Sequence, residues 1–270
     1  MQTCTINKIK VGGGRPVLMG IINISPESFF SGSYVPDEKI RIKAEAMVEQ
    51  GADIIDIGGR STAPGSRIIS IAEEKERLIS ALKTLDGSGI SISVDTMYPD
   101  VLRSALNHDV HVVNDISGLA NPEIAKIMGE HKIPGILMAT HHTPGDCRNF
   151  QETVLALETV TNRAKEAGIG EYVLDPGVGR WIPERNPDAD FELCRRFHEL
   201  SVFERPLLAA VSRKSFLGSV TGRGPENRLA ATLAVTTGLV HSGAAMIRTH
   251  DIPETKDLIE VLSALGEEYN

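Results

Sequence analysis

Cysteine is scarce in this chain. Cys4, Cys147 and Cys194 lie far apart and form no C-x-x-C pair. An odd, scattered set predicts neither a disulfide framework nor a cysteine-rich zinc site. A reducing cytoplasm is the simplest setting. Long apolar runs are missing as well, so no membrane span is expected. Met1 to Lys10 carries charge and no apolar core, which argues against a signal peptide. Excess positive charge is also missing. The net charge is −8, so general affinity for nucleic acid or acidic membranes is not expected. A local basic pocket for a phosphorylated small molecule stays open. Three motifs are absent in turn. No H-x-H follows the first predicted strand, which argues against a metal-dependent amidohydrolase. No G-x-x-x-x-G-K-[ST] occurs, so there is no P-loop. Gly12-Gly13-Gly14 precedes that strand instead of following it, unlike a dinucleotide loop.

What is present is a strict alternation of short apolar runs and longer helical patterns over 270 residues. The predicted strands are Val17–Asn23, Asp53–Ile57, Ile90–Val94, Val110–Asn114, Gly135–Met138, Tyr172–Leu174, Leu207–Ala210 and Ala245–Arg248. Between them the pattern predicts helices over Pro36–Gln50, Ala72–Leu85, Pro99–Asn107, Pro122–Glu130, Phe150–Ala167, Asp188–Leu200, Glu226–Ser242 and Pro253–Leu265. Nearly continuous apolar strands are what a sheet covered on both faces requires. Eight such units predict a single-domain α/β (β/α)₈ TIM barrel over residues 17–270, preceded by an N-terminal extension, 1–16. Long loops rich in Ser, Gly and Pro follow the first two strands (Ile24–Val35 and Gly58–Ile71), and an irregular stretch follows the sixth (Pro176–Pro187). All three fall on the face where barrel active sites occur.

The polar residues gather at that same face. Asn23, Asp95, Asn114-Asp115, Asp175, Ser212-Arg213-Lys214 and Arg248-Thr249-His250-Asp251 all close predicted strands. One aspartate after a strand is often only a helix cap. Together these residues converge on one mouth, the default site of this fold. Asp95, Asn114, Asp175 and Lys214 offer the acceptors and donors that suit the aminopyrimidinone edge of a flat heterocycle. Arg248 can stack on such a ring and reach an anion. Asn23 and His250 sit at the rim, where a phosphate or metal-bound diphosphate would lie. Gly58-Gly59 and Ser61-Thr62 can cradle an oxyanion. His141-His142 with Cys147 is a conceivable metal set, weighed against a solvated loop. A Schiff-base role for Lys214 is disfavoured because Arg213 and Ser215 flank it beyond the strand.

These segments resemble the dihydropteroate synthase family, within the pterin-binding barrel superfamily. The resemblance rests on residues 19–29, 51–59, 93–96, 113–118, 174–177, 212–216 and 248–251, in family order at strand ends. It implies a pterin pocket of Asp95, Asn114, Asp175, Lys214 and Arg248. It implies diphosphate contacts from Asn23, Thr62, Arg248 and His250, magnesium at Asn23, and an arylamine region including Ser215. Asp95, Lys214 and Thr62 are then the expected catalytic group. The implied reaction displaces diphosphate from 6-hydroxymethyl-7,8-dihydropterin diphosphate by an arylamine, commonly 4-aminobenzoate, in folate biosynthesis. The family often dimerises through late helices, so a homodimer through the alanine-rich Arg228–Ser242 segment is expected.

The departures are local. Loop 1 reads Ser25-Pro26-Glu27-Ser28-Phe29 where the family has Thr-Pro-Asp-Ser-Phe. Loop 2 usually reads Glu-Ser-Thr-Arg-Pro-Gly; its acid has become Arg60 and its arginine Ala63. Arg60 replaces that arginine only if the loop is re-aimed. Met138-Ala139-Thr140 stands for the usual Met-His, and Gly179-Arg180-Trp181-Ile182-Pro183 for Gly-Phe-Gly-Lys. Arg180 and Trp181 therefore join the expected arylamine region. A phosphoribosyl-aminobenzene, as in methanopterin synthesis, is the alternative amine. A pterin-dependent methyltransferase and a catalytically dead pterin binder are the further alternatives.

Overall fold

A computed structural model describes residues 3–24, 35, 39–60 and 67–266. In chain order the strands are β1 (Cys4–Ile6), β2 (Ile9–Val11), β3 (Val17–Asn23), β4 (Ile54–Gly58), β5 (Ile92–Asp95), β6 (Val112–Asp115), β7 (Gly135–Met138), β8 (Tyr172–Asp175), β9 (Leu207–Ala209) and β10 (Ala244–Thr249). The helices are α1 (Ile40–Glu49), α2 (Ile71–Leu85), α3 (Pro99–Ala105), α4 (Pro122–His131), α5 (Phe150–Glu166), α6 (Pro187–Arg195), α7 (Ser215–Thr221), α8 (Leu229–His241) and α9 (Ile252–Ala264). Strands β3 to β10 run parallel and close on themselves, with β10 hydrogen-bonded to β3. This is the (β/α)₈ barrel that the alternation predicts.

Helix starts follow local chemistry. Ser70, Asn121, Asn149 and Asn186 each accept a backbone N–H of the first turn of α2, α4, α5 and α6. Pro99, Pro122 and Pro187 occupy first-turn positions, where the missing N–H costs nothing. Helix α3 stops at Ala105, two residues short of its pattern, and two further expected helices are interrupted by 3₁₀ turns. The Asp188–Leu200 helix ends at Arg195, and the chain continues as a 3₁₀ turn, Phe197–Phe203. That tighter turn lets Phe197 and Leu200, three apart, both stay buried. The Glu226–Ser242 helix begins at Leu229, because Pro225–Asn227 forms a separate 3₁₀ turn. Residues 36–38 of the first expected helix lie outside the described residues.

The core has two layers. Val17, Met19, Ile54, Val112, Ile136, Val173, Leu208 and Met246 form one cluster, which reads as the barrel interior. Cys4, Ile6 and Val11 join that cluster, so the antiparallel hairpin β1–β2 caps the barrel's lower end. This hairpin fills much of the segment expected to be an extension. The larger cluster packs the outward strand faces against the helices. Because side chains alternate along a strand, the interior apolar residues fix what stands above them. Ile54 is followed two residues on by Asp56, Val112 by Asn114, Val173 by Asp175 and Met246 by Arg248. The upper interior is thus polar by register.

Candidate active site

Asp56 is the centre of that polar layer. Its side chain is fully buried and accepts from Ser93 Oγ at 2.6 Å, Asn114 Nδ2 at 3.2 Å and Arg248 Nε at 2.7 Å. Arg248 Nη2 also donates to Asp95 Oδ2 at 3.3 Å. One guanidinium therefore bridges two carboxylates on β4 and β5. Burial pushes the Asp95 carboxyl up to about 8; Asp56, Glu74 and Asp115 add to the rise and Arg248 opposes it. Asp115, at the end of β6, faces elsewhere. It accepts the Ser117 and Leu119 N–H groups and the Ser117 hydroxyl, fixing the turn after its strand.

Asp175 closes β8 and is buried. Its Oδ1 accepts the Gly177 N–H at 2.8 Å. Burial raises its pKa, against the pull of Lys214 and of that N–H. Lys214 immediately precedes α7 and donates through Nζ to the Val178 carbonyl. Burial lowers its ammonium to about 8, with Asp175 resisting the change. The backbone makes room for it: Gly179 sits at φ +127°, and a Cβ there would lie 3.0 Å from Lys214 Cδ. A buried pair sets the same loop. Asp190 Oδ1 accepts Gly179 N–H and Arg185 Nε, each at 2.8 Å, while Arg185 Nη1 donates to the Cys147 carbonyl. Cys147 is itself buried.

The rim is mixed. Asn23 ends β3 and flanks Gly58 opposite Asp95. His250 follows β10, and its N–H donates to Ser212 Oγ at 3.2 Å. Burial, helped by Arg248 and Arg213, lowers its imidazole to about 3, so it is neutral near pH 7 in the free protein. Ser215 is exposed at the start of α7. Arg180 and Trp181, expected to act together, part company. Arg180 is exposed and donates to the Pro183 carbonyl at 3.2 Å. Trp181 donates Nε1–H to the Gly177 carbonyl at 3.1 Å, and its ring centre lies 5.4 Å from Lys214 Nζ. It is fitted against Gly145 (φ +73°), where a Cβ would fall 1.9 Å from Trp181 Cβ. Thr62, Ser61, Ala63 and the loop 1 segment 25–29 lie outside the described residues. Arg60 is not aimed at the mouth as a replacement anion ligand. Its guanidinium is engaged by Glu74 and the Ile69 carbonyl.

The strand-end pattern points to Asp95, Asn114, Asp175, Lys214 and Arg248, and four of these connect through a hydrogen bond or through charge interactions. Asn114 joins them through Asp56. Asp56 itself was not among the expected site residues. The signal was available: an aspartate inside Ile54-Ile55-Asp56-Ile57, on a strand buried on both faces, needs a buried partner.

A closed barrel whose upper interior holds two linked acids, an arginine, a lysine and a separate aspartate is the architecture of a barrel enzyme for a polar heterocycle. The chain belongs to the pterin-binding enzyme family, whose model matches residues 19–250. Within it, the similarity is to dihydropteroate synthases. The type-3 dihydropteroate synthase of Escherichia coli is 35% identical over 261 residues, covering 92% of this chain and 99% of that protein. The Coxiella burnetii dihydropteroate synthase, solved in complex with pteroic acid, superposes with a TM-score of 0.87 at 31% identity, covering 98% of each chain. The Xanthomonas albilineans dihydropteroate synthase, solved with 4-aminobenzoic acid, gives 0.86 at 30% identity, again covering 98% of each chain.

Proposed function

We propose that this chain, a transferase of the dihydropteroate synthase type, joins 6-hydroxymethyl-7,8-dihydropterin diphosphate to 4-aminobenzoate in folate biosynthesis. The observation that carries the reading is the stacked order of the mouth. A polar set (Asp175, Lys214, Asn114, Asp95, Arg248) lies above a buried apolar layer and below a rim holding Asn23 and His250. Asp175 takes pterin N–H through the oxygen that Gly177 leaves open, and Lys214 takes its carbonyl side. Arg248 lies along the ring, pairs with Asp56 and donates more weakly to Asp95. The methylene–oxygen bond breaks with its electron pair leaving on diphosphate. The arylamine nitrogen then bonds to the methylene and loses a proton. Asp95, when ionised, favours positive character on that methylene. No covalent enzyme intermediate is needed.

Magnesium is part of this reading. Among the described residues no group of three or more His, Cys, Asp or Glu is placed to hold a metal. Asn23 alone fits an ion carried mainly by diphosphate oxygens and water, the mode magnesium favours. When bound, the ion neutralises charge on the leaving group. The protein's part is to orient that group through Asn23, Arg248 and His250. The reading also places the chain in the cytoplasm as a homodimer, with α8 as the contact. That helix exposes Ala230, Ala234 and Gly238 at four-residue spacing. Among the described residues, no helix is long and apolar enough to cross a membrane.

The test is diphosphate release by purified protein given dihydropterin diphosphate, with and without chelator. 4-Aminobenzoate is compared with a phosphoribosyl-aminobenzene. Release with the former, lost in chelator, is expected; no release with either amine overturns the reading.

A pH profile checks the two groups near 8. Asp95 must lose its proton and Lys214 must keep its own. So kcat/KM for the pterin substrate should rise as Asp95 ionises and fall as Lys214 neutralises, with its maximum near pH 8. In Lys214→Arg the alkaline limb should vanish, because a guanidinium does not titrate there. A parent profile without an alkaline limb would remove Lys214 from the pocket.

Trp181 and Arg180 should separate in kinetics as they do in space. Trp181→Ala should raise the KM for 4-aminobenzoate about three- to tenfold through lost ring contact, with pterin affinity unchanged. Arg180→Ala should act only on a phosphate-bearing amine. Equal effects of both variants on both amines would return the pair to a loop-anchoring role.

A further inference from the structure

Position 60 carries the opposite charge to that of the family pattern, and the structure shows where that charge goes. Arg60 is largely buried, with 14% of its side chain exposed. Its Nε donates to Glu74 Oε2 at 2.7 Å and its Nη2 to the Ile69 carbonyl at 2.7 Å. Its guanidinium carbon lies 5.1 Å from the Tyr98 ring centre. Glu74 belongs to α2 and is 1% exposed. Its other oxygen accepts the Thr96 hydroxyl at 2.7 Å, and Thr96 directly follows Asp95. The Tyr98 N–H also reaches that hydroxyl, at 3.4 Å. A chain of contacts thus runs from Arg60 through Glu74 and Thr96 to the backbone beside Asp95.

We propose that Arg60 is a positioning residue for Asp95: it balances the buried Glu74 carboxylate and, through Glu74 and Thr96, holds the end of β5 in place. The inference rests on the reading of Asp95 as part of the pterin pocket. A buried carboxylate without its cation projects its charge onto its neighbours. Asp95 is the acid next in line here, one residue before Thr96. The charges of Asp56 of β4, Glu74 of α2 and Arg248 of β10 act on it, and Asp115 of β6, turned toward its own loop, adds to them from further off. Arg248 already serves Asp56, so it cannot absorb a further uncompensated acid. An arginine at position 60 suits this task better than a lysine, because one planar group meets a carboxylate, a carbonyl and a ring face together.

The experiment compares Arg60→Gln, Arg60→Lys and the double variant Arg60→Gln/Glu74→Gln. Asp95 titration is read by carboxyl-carbon NMR, and kcat and KM by diphosphate release. In Arg60→Gln the Asp95 titration and the acid limb of kcat/KM should both move up by about one pH unit, costing about tenfold at pH 7 and recovering at higher pH. The double variant, which removes the acid with its cation, should return the titration to the parent position or below. Arg60→Lys should keep most of the parent behaviour. An unmoved titration in Arg60→Gln, or one that stays raised in the double variant, overturns the inference. If Arg60→Gln does not fold, the double variant and Arg60→Lys decide by the same titration. A shifted Asp95 titration in a protein that releases no diphosphate with any amine would refute the transfer reading and leave this one standing.

Discussion

Asp175→Asn should weaken binding of a dihydropterin by roughly 2–4 kcal/mol, the range for losing a charge-assisted contact in a buried site. The expected ratio of dissociation constants is about 30 to 1000. The geometry explains why an amide fails there. One oxygen of Asp175 is already committed to the Gly177 N–H at 2.8 Å, which leaves the other for the ligand. An asparagine can keep the Gly177 contact only by turning its NH₂ group toward the ligand. It then presents a donor where the pterin presents donors. Lys214 would also lose the acid that steadies its ammonium against burial, so its proton should come off at lower pH. The measurement is calorimetry with a pterin that lacks diphosphate, so rim contacts do not contribute. Parent-like affinity would mean that Asp175 only shapes the turn after β8.

Strand β3 and strand β7 have the bounds that their apolar runs predict. The other barrel strands start or end within two residues of prediction. Asp95, Asn114, Asp175 and Arg248 were legible because polar residues that end apolar strands have few places to point. What stayed hidden depends on pairing across the chain. Arg248 and Asp56 are 192 positions apart, and no local pattern couples them. Arg213 looked like part of the mouth, yet it is bound to Asp251 and to the Pro225 and Glu226 carbonyls. Its positive φ of 56° marks a turn held by those contacts. The hairpin β1–β2 does not show in the pattern, because two three-residue strands are too short to show a period. Arg180 and Trp181 are adjacent in sequence, which predicts a shared role; the fit of Trp181 against Gly145 separates them.

Arg248→Met should lower folding stability by about 3–5 kcal/mol and abolish turnover, the cost expected when one member of a buried ion pair is removed. Asp56 has no exposed surface, and among the described residues Arg248 is its paired cation. Ser93 and Asn114 can still donate to the carboxylate, but neither carries charge. The orphaned acid must then be desolvated as an anion or take up a proton. Asp95 loses its compensating cation in the same change, since Arg248 spans both acids. The methionine fills similar volume, so a cavity contributes little and the loss reports on charge. The second variant separates stability from chemistry. Asp56→Asn/Arg248→Met removes the acid together with its cation and should recover at least half of the lost stability. An asparagine at 56 can still accept from Ser93 and meet Asn114. Turnover should stay absent, because the double variant has no guanidinium beside the pterin or within reach of the departing diphosphate. Denaturant midpoints with unchanged slopes measure the first effect, and diphosphate release measures the second. If Arg248→Met unfolds at the parent midpoint, Asp56 is not held as a buried anion, and the bridge from β10 to β4 and β5 contributes to the site without supporting the fold.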